Sequence, residues 1–214
     1  MKKQNEKMKI PVQERAVKSR EKILSSAQRV FSQKGLHGAR IDEIARLANI
    51  NKQRIYAYFS SKKNLYHQVL IAVYSLAASN EKIIALREED IPRMTFKIIE
   101  SFLDFHQKHP EFWRLLAWEN LNGGKSLKNE DWKAIRSSYV DHIKNLFEIG
   151  KNQGFVNVNV DFSTYILTIF SITYFYFSNQ LTISHLLNLD LESITIRQQI
   201  AQQLNSMFAQ NNNS

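Results

Sequence analysis

The chain has 214 residues, 43% of them apolar and 23% charged, with no cysteine and a formal net charge of +9. This is ordinary globular material for one large or two small domains, and the lack of cysteine excludes a disulfide framework and thiolate-bound metal, as suits a reducing cytoplasm. The charge is uneven: residues 1–66 hold 16 Lys/Arg against 5 Asp/Glu, residues 67–214 hold 13 against 15, so the basic excess sits entirely in the N-terminal part, as phosphate binding requires and general solubility does not.

In chain order, residues 1–14 are expected to form a flexible basic arm. The opening MKKQNEKMKIPVQERAVKSR has lysines but no apolar segment behind them, so it does not have the pattern of a signal peptide. It also lacks the exposed Trp/Phe/Leu face that a membrane-surface helix needs, which puts nucleic acid ahead of a lipid surface as the partner. A first helix is predicted from about Glu14 to Lys34, with Val17, Ile23, Leu24, Ala27, Val30 and Phe31 on one face and Gly35 in the stop position.

Between Gly35 and Leu65 the pattern tightens. Ile41, Ile44, Ala45 and Ala48 make the inner face of a short helix. Asn49-Ile50-Asn51 then forces a turn, in which Asn49 tolerates a left-handed backbone and Asn51 caps the next helix by accepting from a free N–H. The second helix, Lys52 to about Phe59, buries Ile55 and Phe59 and presents Lys52, Gln53, Arg54, Tyr56 and Tyr58. These are donors suited to base edges and phosphates.

The same residues resemble the helix-turn-helix of the TetR family of transcriptional regulators: Phe31 and Gly35, then Ile44-Ala45-Arg46-Leu47-Ala48, then Tyr56-Ala57-Tyr58-Phe59-Ser60-Ser61-Lys62-Lys63-Asn64-Leu65. The likeness covers roughly residues 20–70. It implies a DNA-facing set of Arg40, Asn51, Lys52, Gln53, Arg54, Tyr56, Tyr58 and Lys62, with Lys62 on the DNA backbone and Lys18, Arg20 and Lys22 near phosphate or minor groove. Asn49 stands where the family usually has Gly, and Ala39-Arg40 where it has a hydroxyl pair. The capping role of those hydroxyls is therefore not carried onto Ala39, and Arg40 is the phosphate candidate there. A looser likeness, around His37-Gly38 and from Pro110 to Gly124, is to the pyrimidine-utilisation repressor branch.

Ser60 or Ser61 is expected to cap a long helix from Lys62 to about Leu86, with Leu65, Val69, Val73 and Leu76 turned inward. Further helices are predicted from Pro92 to His109, from Glu111 to Leu121 ahead of Asn122-Gly123-Gly124, from Trp132 to Gly150, from Asp161 to about His185, and from Asp190 to Ala209. The run Phe162–Phe177 is shorter than the roughly 20 residues that a membrane span needs and includes several Ser/Thr, so it reads as a buried helix and no membrane is expected. Chemical motifs are absent or incomplete. Gly123-Gly124-Lys125-Ser126 lacks the first glycine of a P-loop, with Glu119 in its place, and His106/His109 lack further ligands for a metal. Asn212-Asn213-Ser214 is a glycosylation sequon that matters only in a secreted chain.

The expected fold is all-α: a three-helix DNA-binding domain at 15–66, a helical bundle for ligand binding and dimerisation at 67–209, and a polar tail at 210–214. The resemblance implies a cytoplasmic, non-enzymatic, sequence-specific regulator without cofactor or metal: a homodimeric repressor on palindromic double-stranded DNA, released by a small-molecule effector. Candidate effector residues are the aromatics Phe102, Phe105, Phe112, Trp113, Trp118 and Tyr174, with His106 or Glu119 as polar selector. Each taken singly is more often plain core. The rival reading is a ligand-independent architectural DNA-binding protein, and what separates the two is whether the bundle encloses a cavity.

Overall fold

Gly35, at φ +64° and ψ −178°, ends the straight run of the first helix, α1 (Val12–Gly38), and turns the chain toward the next one. In the computed structural model, which describes residues 12–133 and 139–210, helices make up the architecture. Residues 1–11 of the expected arm and 211–214 of the expected tail lie outside the described residues, while 12–14 already belong to α1. Ile23, Ala27, Val30 and Phe31 are buried, but Val17 is exposed because the covered face starts only at Ile23.

Helices α2 (Ile41–Ala48) and α3 (Lys52–Phe59) follow, then α4 (Lys62–Ala78), whose cap is Ser61 accepting from the Asn64 N–H at 3.1 Å. The single helix expected over 62–86 is in fact two, α4 and α5 (Glu81–Ile84). Asn80 interrupts it by accepting from the Lys82 N–H at 3.2 Å and the Ser101 hydroxyl at 3.2 Å, the local competition with helix hydrogen bonding that Asn favours. Leu76 is accordingly exposed, and Ala77 and Ala78 take the inner positions.

After a 3₁₀ turn at Glu88–Arg93 come α6 (Met94–Lys108) and α7 (Pro110–Leu121), which starts on its proline as the missing N–H of that residue allows. Helix α8 (Asp141–Asn152) ends the segment expected from Trp132, of which 134–138, including Ile135, lie outside the described residues. Asp161 caps α9 (Phe162–Ser178) by accepting from the Thr164 N–H at 2.9 Å. The expected continuation to His185 breaks at Asn179, and a separate α10 (Gln180–Leu187) follows. Helix α11 (Ile194–Phe208) starts later than expected, because Asp190 accepts from the Glu192 N–H and holds a turn there. Val156 with Ala209 is the isolated bridge between non-helical segments. Among the described residues, no single helix is long and apolar enough to cross a membrane.

Among the described residues two hydrophobic cores result. One fills α1 to α4 and takes in Phe105, Phe112, Leu115 and Leu127 from later in the chain. The other joins α6, α8, α9 and α11 around Ile98, Phe102, Phe147, Tyr165 and Leu204. Helix α7 packs mainly on α1 and also touches α4, α6 and α9, and Trp113 contacts both cores.

Candidate nucleic-acid interface and effector cavity

The turn between α2 and α3 is held by its two asparagines. Asn49 adopts φ 53°, ψ 47° and the Asn51 side chain accepts from the Gln53 N–H at 2.9 Å, satisfying one of the donors that a helix start leaves open. Ile55 and Phe59 bury the back of α3. The front therefore carries Lys52, Gln53, Arg54 and Tyr56, all exposed, with Tyr58 half-buried and the Arg54 guanidinium 5.9 Å from its ring centre.

Two lysines in the expected DNA-facing set have partners within the protein. The Lys52 ammonium lies 2.9 Å from the Asp42 carboxylate, and that hydrogen bond raises its pKa. Lys62 donates to the Ala39 carbonyl at 2.7 Å and to that of His37 at 3.4 Å, so the amine expected on phosphate also ties α4 to the loop before α2. Arg40 is exposed at the N-terminus of α2 and makes no side-chain cap, in keeping with the hydroxyl missing there. Among the described residues, Arg40, Arg46 and Arg54 have no acidic partner. Arg20, near the start of α1, sits 5.3 Å from the Phe59 ring centre and donates to Gln68 at 2.9 Å, a bracing contact that only tertiary structure displays.

Residues 23–69 match the model for bacterial regulatory proteins of the tetR family, and residues 95–207 match the tetracyclin repressor-like C-terminal domain. The chain belongs to the TetR family of transcriptional regulators. The chain is 33% identical to the HTH-type transcriptional repressor NicS of Pseudomonas putida over 83% of its own length and 84% of the relative's. It is 37% identical to the HTH-type transcriptional regulator RutR of Escherichia coli over 56% of this chain and 58% of that one. Two solved structures share the fold: a TetR family transcription regulator from Marinobacter aquaeolei (TM-score 0.72, 15% identity, 94% of this chain and 100% of that one) and HlyIIR, a hemolysin II transcriptional regulator (TM-score 0.58, 20% identity, 92% and 99%). This TetR-family chain is thus a DNA-binding transcriptional regulator, as the relatives it matches are.

Its C-terminal part holds a cavity of about 350 Å³, within the size range of small-molecule sites. Of the expected effector residues, Phe102, Phe105, His106, Phe112 and Tyr174 are brought together in its wall. Trp113, Trp118 and Glu119 are not in the wall. On α7 the lining face is the i, i+4, i+8 row Phe112, Leu116, Asn120. Trp113 and Glu119 flank that row, and Trp118 points the opposite way. The Trp118 indole lies over Gly35 and donates to the Ser32 carbonyl at 3.3 Å. Glu119 is buried and accepts from the Ser126 N–H at 2.6 Å. Its other oxygen and the Tyr66 hydroxyl both lack a hydrogen-bond partner among the described residues, and burial followed by the Glu119 carboxylate raises the Tyr66 phenol.

Tyr74 and Ala77 of α4, Tyr139 before α8, and Phe170, Ser171 and Thr173 of α9 are the other described residues of the wall. The α9 contribution could have been found by the spacing of Phe170 and Tyr174, which puts both on one face. Tyr74 and Tyr139 carry no such sign. Burial pushes Tyr74 up to about 12 and also raises Tyr139, so both are neutral donors near neutral pH.

Proposed function

We propose that this TetR-family regulator is a homodimeric repressor that acts on palindromic DNA in the cytoplasm and leaves it when a small molecule fills the cavity. The observation that carries the reading is the placement of α7. Phe112, Leu116 and Asn120 line the cavity from one face, while on other faces Leu115 enters the α1–α4 core and Trp118 sits on Gly35 at the bend of α1. A ligand that shifts α7 would therefore move α1, and with it the α2–α3 unit. Helix α4, which puts Tyr74 in the wall and Lys62 on the loop before α2, acts beside α7. The ligand must bind better to the conformation whose α3 helices are wrongly spaced for DNA, and by reciprocity DNA must weaken the ligand. The cavity also weighs against the purely architectural reading, which needs none.

For the DNA, Gln53 and Arg54 are proposed as base readers, joined by Lys52 once it leaves Asp42, with Tyr56, Tyr58 and Arg40 on phosphates. Lys62, with three N–H donors and two protein acceptors, has one left for a phosphate. Selection of random duplexes by the full chain should return a palindrome with half-site centres about 34–36 Å apart or a multiple of that. Leu116→Trp, which fills the cavity without any effector, should weaken binding to the selected site while the chain stays helical and folded. Unchanged affinity with a filled cavity would favour the architectural reading.

A further inference from the structure

Resting on the cavity as the effector site, we propose that its ligand is an uncharged planar aromatic molecule bearing an amide or carbonyl group, and that His106 reads that group. Among the described residues the wall has no Lys, Arg, Asp or Glu. Among those residues a carboxylate or ammonium would find no counter-charge for the hydration it loses, which is costly in a low-dielectric site. What the wall does offer is rings, set edge to face: Phe102 with Phe170 at 5.3 Å and 88°, Tyr74 with Phe112 at 5.8 Å and 77°. Planar π-systems pack well against such an arrangement. A volume of about 350 Å³ lies at the low end of the range for ligand sites, which suits one or two fused rings better than a long chain.

His106 supplies the polar selector. Only 5% of the residue is exposed, and its ring lies among Phe105, Phe112 and Phe177 at 5.6 to 5.9 Å. Burial pushes it down to about 4, so at neutral pH the imidazole is uncharged and holds one donor and one acceptor. Nδ1 is sealed from solvent with no hydrogen-bond partner among the described residues. Leaving an N–H stranded there would cost more than leaving a lone pair, so the proton belongs on Nε2, and His106 approaches a ligand as a neutral donor suited to a carbonyl oxygen.

The test uses the full chain without DNA and three probes of one shape: indole-3-carboxamide, indole-3-carboxylate and indole, titrated by calorimetry. The carboxamide should bind at least about tenfold more tightly than the carboxylate. His106→Phe should remove the carboxamide's advantage over indole, and His106→Gln, which keeps a donor, should restore part of it; thermal melts check that both variants fold. Carboxylate binding as tight as the carboxamide, a carboxamide preference that survives His106→Phe, or no binding of any probe at millimolar concentration would each overturn the proposal. Because DNA is absent, carboxamide binding that leaves operator affinity unchanged would retain this ligand class and instead sink the effector reading.

Discussion

The indole of Trp118 lies so close to Gly35 that a Cβ built on residue 35 would stand 2.7 Å from its Cε3. Residue 35 is also at φ +64°, where an L side chain is strained. At ψ −178° the residue lies in a region that essentially only glycine occupies, so Gly35→Ala should cost about 1–3 kcal/mol for the backbone and roughly 1–3 kcal/mol more for overpacking, read by denaturant unfolding. Adding Trp118→Ala should recover the packing part and leave the backbone part. Strict additivity of the two substitutions would mean that this contact is not the source. Trp118→Ala alone should leave ligand binding in the cavity intact and reduce the ligand's effect on DNA.

Lys62 is the next separable case. Its amine holds the carbonyls of Ala39 and His37, so Lys62→Ala should lower stability by about 1.5–3 kcal/mol, the range for hydrogen bonds from charged groups. A pure phosphate contact would instead weaken all DNA sequences alike, flatten the salt dependence and leave the unfolding midpoint where it was. Both losses together are expected. Arg54→Ala, exposed and stacked on the Tyr58 ring, should cost at most about 1 kcal/mol of stability and relax one base-pair position per half-site at about 1–3 kcal/mol.

Local chemistry made the α2–α3 unit legible. Asn49, Asn51, Ile44 and Phe59 act within a few residues of themselves, so spacing and turn preferences determine where each goes. The family could be recognised from the same stretch. The helix break at Asn179 rests on local bonds within 175–183 and falls in the polar run Ser178-Asn179-Gln180. The break at Asn80 was harder to read, because it depends on Ser101, which sequence does not place. The cavity was half legible for a similar reason. Aromatic density drew attention to α7, but which of its faces looks into the cavity depends on where α1 lies, and Trp118 therefore went to the DNA-binding side. Lys52 and Lys62 have the right charge for DNA, yet only the fold shows Asp42 and the Ala39 carbonyl within reach.

His106 gives the pH dependence a definite sign. Its folded value of about 4 lies below the ordinary 6.5, so the unfolded chain binds more protons between the two. Stability held above about pH 6.5 should be lost as pH falls toward about 4, by roughly 3 kcal/mol at about 1.4 kcal/mol per unit. Asp90 and Asp161, both lowered by hydrogen bonds from Lys97 and Thr164 respectively, keep their contributions through that window and lose them only below the usual 3.8. Unfolding free energies measured across it should therefore be flatter in His106→Gln. An equal slope in both proteins would assign the effect to other groups.

The proposed homodimer can be tested on a narrow seam. Helix α9 buries Tyr165, Ile166, Ile169 and Phe177 within one subunit, which is more than its all-round apolar pattern suggests, and leaves Leu167 64% and Phe175 50% exposed. Those two lie two helical turns apart on one face. Helix α11, which packs on α6, reaches α9 through the Phe208 ring, 5.0 Å from Tyr165, and leaves Met207 exposed. Scattered exposed apolar residues are normal on a monomer, so the exposure decides little by itself. A twofold axis, however, would use each residue twice. Burying a leucine is worth about 1.5–3 kcal/mol, so Leu167→Lys should weaken dimerisation at least about a hundredfold and lower operator affinity with it. Light scattering at micromolar concentration should find the native chain dimeric and Leu167→Lys shifted to monomer. A native chain that is already monomeric there would remove α9 as a dimer seam, and a Leu167→Lys dimer as stable as the native one would move the interface elsewhere.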